Sequence, residues 1–205
     1  MGRTVRGAVP MTALVLGVLV SGCSSETKRT GADPEPRGGE TPQARKAGPR
    51  DSGCALPVSF DLPPGWQATA TAAASASADP ERKEFSLVCE LRTEDPPGVA
   101  PLRVWTAPTA GRTPEQALKS LVDGVTLRLK QSRYSSVRTG ASPITEAVFT
   151  ESPGQTDDED ITARAFAVGT PDGIVAVQLG GMGASEDPSA LPAYELARKS
   201  ARAGG

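Results

Sequence analysis

The residues whose chemistry the sequence most readily predicts are its three cysteines, Cys23, Cys54 and Cys89. Cys23 follows a short apolar run near the start of the chain, and the other two lie 35 residues apart beyond it. Histidine is absent from the whole sequence. Its absence removes histidine-dependent catalytic triads and histidine-ligated zinc from consideration.

Residues 1–22 have the composition of a signal peptide. Arg3 and Arg6 are the only charged residues before Cys23, and the run 11–20 is uncharged and rich in leucine and valine. As a helix this run would extend about 15 Å, which is half of a bilayer core of roughly 30 Å. A basic start, a short apolar core and small residues at its end are typical of an export signal that is later removed.

The segment Val20-Ser21-Gly22-Cys23 resembles the bacterial lipobox, in which an aliphatic residue and two small residues precede an invariant cysteine. The resemblance implies cleavage before Cys23 and a diacylglyceryl thioether, with palmitate-type acyl chains, on its thiol. Two acyl chains on one residue form a stable anchor, whereas one chain binds a membrane only marginally. We therefore expect a lipoprotein held at the extracytoplasmic face of the cell membrane. The alternative is an ordinary secretory signal with an incidental cysteine.

Once the lipid occupies Cys23, Cys54 and Cys89 remain as a pair. In an exported protein such a pair normally forms a disulfide. Both cysteines fall on the apolar phase of a predicted strand, which also favours the bond. The bridge would close a loop of 35 residues, for which chain entropy alone predicts a stabilisation of about 4 kcal/mol. The alternative is two buried free thiols.

Residues 23–53 read as a tether between the lipid and a folded domain over residues 54–205. After Cys23 they contain three alanines as their only apolar residues, six basic and five acidic residues, and frequent glycine and proline. Such a segment buries too little apolar surface to offset the entropy of ordering. We expect a disordered linker with a root-mean-square reach of roughly 30 Å.

The folded domain begins with a pattern of short strands. Apolar residues alternate with polar ones at residues 54–60, 85–91 and 102–106, with a weaker strand within 67–80. Further strands are predicted near Val137 and at residues 144–150, 161–169 and 174–179. The last of these is apolar on both faces, which places it in the centre of the sheet.

Two helices accompany these strands. Thr113-Pro114-Glu115-Gln116 offers a cap, a proline in the first turn and a capping box, and apolar residues continue at helical spacing to Leu129. A terminal helix contains Pro192 and Tyr194. This order predicts an α+β fold, a mostly antiparallel sheet with two helices packed on it.

Residues 54–205 resemble the PsbP-like domains of small actinobacterial lipoproteins, including the LpqN type. The resemblance rests on Leu62-Pro63-Pro64-Gly65-Trp66 after the first strand, the Thr113-Pro114-Glu115-Gln116 helix start, the strand meander and the terminal helix. It implies a PsbP-like fold and a non-catalytic binding or accessory module of the cell envelope. It transfers no catalytic residue.

Three further features are candidates for binding. Asp157, Asp158 and Asp160 lie in an acidic run whose oxygens could hold calcium, although EF-hand spacing is absent and a solvated loop is the alternative. Trp105 faces away from the apolar side of its strand, so it is the candidate for lining a ligand pocket, with core packing as the alternative. The segment Gly180-Gly181-Met182-Gly183 lacks the G-x-G-x-x-G and P-loop patterns, so we predict a flexible connection.

Charge and motifs together limit the function. Residues 23–205 carry a net charge of −4 and residues 54–205 one of −5, which provides no basic face for nucleic acid. We expect no cofactor and no enzymatic activity. The predicted role is a membrane-anchored module that binds an envelope protein or a small apolar ligand. The alternatives are a cell-envelope hydrolase or transferase that uses carboxylates, and a calcium-binding acidic loop.

Overall fold

The computed structural model describes residues 45–71, 85–109, 111–126, 128–139, 142–152 and 160–204. Contacts divide the chain into two units, Met1–Gly39 and Glu40–Gly205, and every described residue lies in the second. Cys23 and most of the predicted tether therefore lie outside the described residues. Within the described ranges no helix is both long and apolar enough to cross a membrane.

Ten strands and two helices make up the described chain. In order they are β1 Arg45–Ala47, β2 Val58–Leu62, β3 Trp66–Ala70, β4 Ser86–Thr93, β5 Leu102–Ala107, α1 Pro114–Val125, β6 Leu129–Thr139, β7 Ser142–Glu151, β8 Ile161–Thr170, β9 Gly173–Leu179, α2 Leu191–Ser200 and β10 Arg202–Ala203.

Seven strands form the main sheet, in the order β3-β4-β5-β9-β8-β7-β6, and every neighbouring pair is antiparallel. A second, three-stranded sheet has the order β1-β2-β10. All seven residues of β9 are buried, and the strand lies in the middle of the main sheet. The α+β class and the central position of this strand are thus confirmed.

The main sheet separates two apolar layers. One layer packs under α1, where alanines 163, 165, 167 and 176 face Leu118 and Leu121 of the helix. Small side chains there leave room for the helix to approach the strands closely. The other layer lies between the main sheet and both β2 and α2, and contains Phe60, Phe166 and Tyr194.

Helix α1 begins as the sequence predicts. The Gln116 amide donates to Thr113 Oγ1, and the Thr113 amide donates to Gln116 Oε1, which completes the capping box. The helix ends earlier than expected, at Val125, and Leu129 begins β6 instead. The helical assignment of Leu129 is therefore wrong, because one more apolar residue at the right spacing does not establish a further turn.

The structure joins Cys54 and Cys89 in a disulfide, with their Cα atoms 6.2 Å apart. Both residues are buried in the layer beneath β2. Cys89 lies in β4, whereas Cys54 precedes β2 instead of belonging to a strand. The bond therefore attaches the segment that leads into β2 of the small sheet to β4 of the main sheet.

Regular structure is present at least nine residues before the predicted boundary at Cys54. Residues 45–47 form β1, which pairs antiparallel with β2, and Ala47 is fully buried. Gly48 follows with φ +108°, and a Cβ at this position would lie 2.0 Å from the Val58 carbonyl oxygen. The segment is polar in sequence, so its order depends on pairing with β2 and not on its own composition.

Gly48→Ala is expected to detach β1 from β2 and to lower the free energy of unfolding by about 2 kcal/mol. An added methyl group cannot be accommodated against backbone atoms, and a positive φ adds about 1–2 kcal/mol for a non-glycine residue. Gly98→Ala is the matched control, since Gly98 also has a positive φ but its Cβ would meet nothing within 4 Å. Urea unfolding and limited proteolysis of residues 45–53 measure the effect, and equal losses in both variants would contradict it.

Candidate functional site

The acidic run is only partly described. Asp157 and Asp158 lie outside the described residues, whereas Asp160 forms an exposed ion pair with Lys130 of β6. Within the described ranges no group of three histidine, cysteine, aspartate or glutamate residues could hold a metal ion. Calcium binding at residues 157–160 stays a prediction that calorimetry with calcium chloride can test.

Trp105 lies in the core. Its side chain is 3% exposed and packs in the layer under α1. Its indole Nε1 donates to Gln178 Oε1 at 2.8 Å, and Gln178 Nε2 donates to the Gly180 carbonyl oxygen at 2.7 Å. The face opposite Leu102 and Val104 is thus covered by a helix and is not open to solvent. Trp105 is therefore part of the core layer under α1, and its lining of a ligand pocket stays a prediction.

The glycine-rich segment is tied to its surroundings by its own amides. The Gly181 amide donates to the Ala184 carbonyl oxygen, and the Met182 amide donates to the Val125 carbonyl oxygen at the end of α1. The Gly183 amide donates to Glu151 Oε1 at 2.9 Å, and Glu151 is fully buried. A phosphate cradle needs amides that point to an open site. Here the segment holds a carboxylate of the protein itself, and it is not the loose connection predicted.

A cluster of charged side chains connects α2 to the main sheet. Arg164 of β8 donates to both carboxylate oxygens of Glu186, at 2.6 and 2.9 Å. Arg198 of α2 pairs with Glu195 at 2.6 Å and with Glu146 of β7 at 3.5 Å. The bond to Glu186 raises the pKa of Arg164. Each of the three carboxylates is engaged by one of the two arginines, so the cluster is suited to fixing the helix and not to binding a free ion.

Tyr194 lies beneath this cluster and is fully buried. Its hydroxyl donates to Glu146 Oε1 at 3.2 Å, and its ring packs edge-on against Phe166 with centroids 5.5 Å apart. Burial, and then the nearby Glu146 carboxylate, raise the pKa of Tyr194 well above 10.0, while Arg164 and Arg198 oppose the rise. The phenol therefore stays protonated and acts as a structural donor.

The free energy of unfolding is expected to fall as the pH rises above about 10, because unfolded Tyr194 loses its proton there while the folded form keeps it. The loss continues until the pH reaches the raised pKa of the folded protein. Tyr194→Phe should remove most of this decrease of the free energy of unfolding with pH. Tyr134→Phe should remove less of it than Tyr194→Phe does. Urea unfolding between about pH 8 and pH 11 measures both slopes, and equal slopes in wild type and Tyr194→Phe would contradict the expectation.

One groove among the described residues has a volume of about 710 Å³. It lies between the segment that leads into β2 and the end of the main sheet. Leu56, Pro57 and Ile174 form its apolar part, and Arg50 and Asp172 place one charge of each sign on its rim. Two further grooves of about 610 and 560 Å³ adjoin Trp66 and Arg92. All three are open and mixed in polarity, as contact surfaces for a partner are.

A family model described as "Uncharacterised lipoprotein", Lipoprotein_23, matches residues 24–201. The chain belongs to this lipoprotein family. The match spans the predicted tether as well as the folded domain. No curated protein matches the chain.

Two solved structures are similar to this lipoprotein. The solution structure of cyanobacterial PsbP (CyanoP) from Synechocystis sp. PCC 6803 has 11% identity and a TM-score of 0.48, covering 81% of this chain and 95% of CyanoP. The crystal structure of LpqN, involved in cell envelope biogenesis of Mycobacterium tuberculosis, has 12% identity and a TM-score of 0.40, covering 80% and 91%. They represent the two protein types that the sequence motifs resemble.

Sequence reasoning missed the charged cluster on α2. Its members come from β7, β8, α2 and the segment before α2, so their meeting depends on long-range packing. The one local signal was the spacing of Glu195, Arg198 and Lys199, which suits i,i+3 and i,i+4 pairs on a helix. That spacing indicates ion pairs within the helix, but it does not predict that Arg198 also contacts Glu146 of β7.

Proposed function

We propose that this lipoprotein is anchored by a diacylglyceryl group on Cys23 at the extracytoplasmic face of the membrane, where its domain binds an envelope protein without catalysis. The observation that carries the proposal is the position of the family match. It begins at residue 24, the residue that follows the lipobox cysteine. The match therefore begins one residue inside the mature chain that the lipobox predicts and leaves out the signal peptide, which supports the predicted cleavage site.

The contacts of the charged cluster support binding over catalysis. General acids and bases need a pKa near the working pH and access to a substrate. Glu146, Glu186 and Glu195 are instead engaged by arginines, and Tyr194 is buried with a raised pKa. These groups stabilise the attachment of α2, which is a poor arrangement for a carboxylate-dependent hydrolase.

The distribution of apolar surface supports a protein partner over a small apolar ligand. Sites for small apolar ligands are concave and mostly apolar. Within the described ranges the large apolar side chains that are exposed are Leu129, Val148 and Met182, and each is only 37–39% exposed. The grooves combine apolar and charged walls. Such surfaces suit a partner with its own polar groups.

Photo-crosslinking in living cells tests the proposal. A crosslinker on the described domain of the wild-type lipoprotein should give a discrete adduct with an envelope protein. In Cys23→Ser the adduct should fall at least about tenfold, because the tether no longer keeps the domain at a high local concentration near the membrane. Arg202→Glu, at an exposed position outside the grooves, is the control for a surface change that leaves the anchor intact.

Two results would contradict the proposal. One is turnover of purified cell-wall material by the wild-type protein, with loss of the activity on substitution of a single carboxylate. The other is an equal yield of the adduct from Cys23→Ser. An adduct with a lipid or small metabolite in place of a protein would favour the small apolar ligand.

A further inference from the structure

Strand β6 is a long edge strand that carries basic residues in an otherwise acidic domain. It occupies one end of the main sheet and pairs only with β7 among the described strands. After an irregularity near Leu129, residues 131–139 pair with β7 without interruption, a length of about 30 Å at roughly 3.4 Å per residue. The outer edge of such a strand presents amides and carbonyls that can pair with another chain.

The basic residues of the domain concentrate along this strand. Lys130, Arg133 and Arg138 lie within β6, Arg128 directly precedes it, and residues 124–145 contain no acidic residue. The rest of the domain is acidic, since residues 54–205 as a whole carry a net charge of −5. We call residues 128–138 the basic edge.

Three cations of the basic edge, Lys130, Arg133 and Arg138, are available to a partner. Gln131, Arg133, Ser135 and Arg138 are all exposed. Within the described ranges, Arg133 and Arg138 form no ion pair, and the pair between Lys130 and Asp160 is exposed to solvent on both sides. Exposed ion pairs contribute little, typically below about 1 kcal/mol. Exchanging that pair for another acidic partner would therefore cost little.

One apolar residue lies beside these cations. Val148 of β7 pairs in register with Arg133 on one side and with Arg164 of β8 on the other, and its side chain is 37% exposed. A strand added beside β6 would meet Arg133 directly, and Val148 lies one strand further in on the same face, where a long apolar side chain of that strand can reach it. Arg138 lies five residues along the strand from Arg133 and therefore on the opposite face of the sheet, so a partner strand needs acidic side chains on both of its faces.

From these observations we propose that the basic edge binds an extended acidic segment of an envelope protein, which adds to the main sheet as a strand beside β6. The inference rests on the proposed function and names the chemistry of its partner. Strand addition supplies backbone hydrogen bonds for affinity, and the side chains supply specificity. The like charges on β6 oppose pairing with a second copy of the same edge, so the charge selects an acidic partner.

The charge pattern favours a peptide over an anionic lipid surface. Screening limits the reach of exposed charges to about 8 Å at physiological ionic strength. A strand beside β6 lies next to Arg133 and Arg138, in a stretch of the chain, residues 124–145, that contains no acidic residue. A membrane surface would face a much wider part of a domain whose net charge is negative.

Titration with defined peptides tests the inference, using the full-length lipoprotein in neutral detergent micelles. The probe is a labelled peptide of about nine residues in which pairs of glutamates alternate with pairs of valines, so that both faces carry carboxylates, and it is long enough to cover residues 131–139. We expect saturable binding below about 1 mM that weakens with salt. Amide exchange within residues 131–139 should slow on binding. The same peptide with lysine for glutamate should not bind.

The decisive variant is Arg133→Glu with Arg138→Glu, which should weaken binding at least about tenfold. Its matched control is Lys199→Glu with Arg202→Glu, which changes the net charge equally at exposed positions outside β6 and outside the grooves and should stay within about twofold. Arg133→Gln with Arg138→Gln provides the same test should the charge reversal fail to fold.

Three outcomes would overturn the inference: no binding up to about 1 mM, binding that survives the change of both arginines, or binding without slowed exchange in β6. Retention on phosphatidylglycerol vesicles that depends on these arginines, without peptide binding, would overturn it in favour of lipid. In each case an anchor-dependent protein adduct formed elsewhere on the domain would leave the proposed function intact.

Discussion

Cys54→Ala combined with Cys89→Ala is expected to lower the free energy of unfolding by about 4 kcal/mol, because the disulfide no longer limits the entropy of the unfolded chain. The bond closes a loop of 35 residues that contains β2 and β3. Losing it frees β2, with β1 and β10 attached, from its covalent link to β4. Urea unfolding of the oxidised wild type and of the double variant measures the loss.

The wild type under reducing conditions serves as the control for this prediction. Reduction should lower its stability to that of the double variant, whose own stability should not respond to the reductant. Thiol titration of the unreduced protein should find neither cysteine free. A loss below about 1 kcal/mol would contradict the prediction, since the chain-entropy term for this loop is several times larger.

Tyr194→Ala is expected to cost about 4 kcal/mol, the range found for removing a large aromatic side chain from a core. The ring fills the layer between α2 and the main sheet and contacts Phe166, so its removal leaves a cavity. Glu146 also loses the donor that its carboxylate accepts. Equilibrium unfolding in urea measures the total effect.

Tyr194→Phe separates the two contributions. It keeps the ring and removes only the hydroxyl, so a loss of about 1 kcal/mol is expected. Tyr134→Ala is the comparison at a half-buried position and should cost clearly less than Tyr194→Ala. If Tyr194→Ala and Tyr134→Ala lower the free energy of unfolding equally, the packing of Tyr194 against Phe166 does not contribute the stability predicted here.

The elements that the sequence predicts correctly have strong local signals. Helix α1 has a cap, a first-turn proline and an apolar face, and each acts within a few residues. Strand β9 is apolar on both faces, which only a central position can satisfy. The disulfide is predicted because the sequence has three cysteines and the lipid is assigned to Cys23, which leaves two to pair.

The elements that the sequence misses depend on distant partners. Strands β1 and β10 are short and polar at their ends, and they exist because β2 lies between them. Strand β6 lacks an alternating apolar pattern because it lies at an edge, so only its Val137 end was predicted. The environment of Trp105 depends on α1 covering the face that the strand pattern left unassigned.

The position of the lipid tests the assignment of this chain as an anchored lipoprotein most directly. Intact-mass and N-terminal peptide analysis of protein purified from the membrane fraction should find a chain that begins at Cys23 and carries a diacylglyceryl group there. Cys54→Ala with Cys89→Ala should retain that group, and Cys23→Ser should lose it. A mature chain that begins elsewhere, or an unmodified Cys23 in membrane-bound protein, would contradict the assignment.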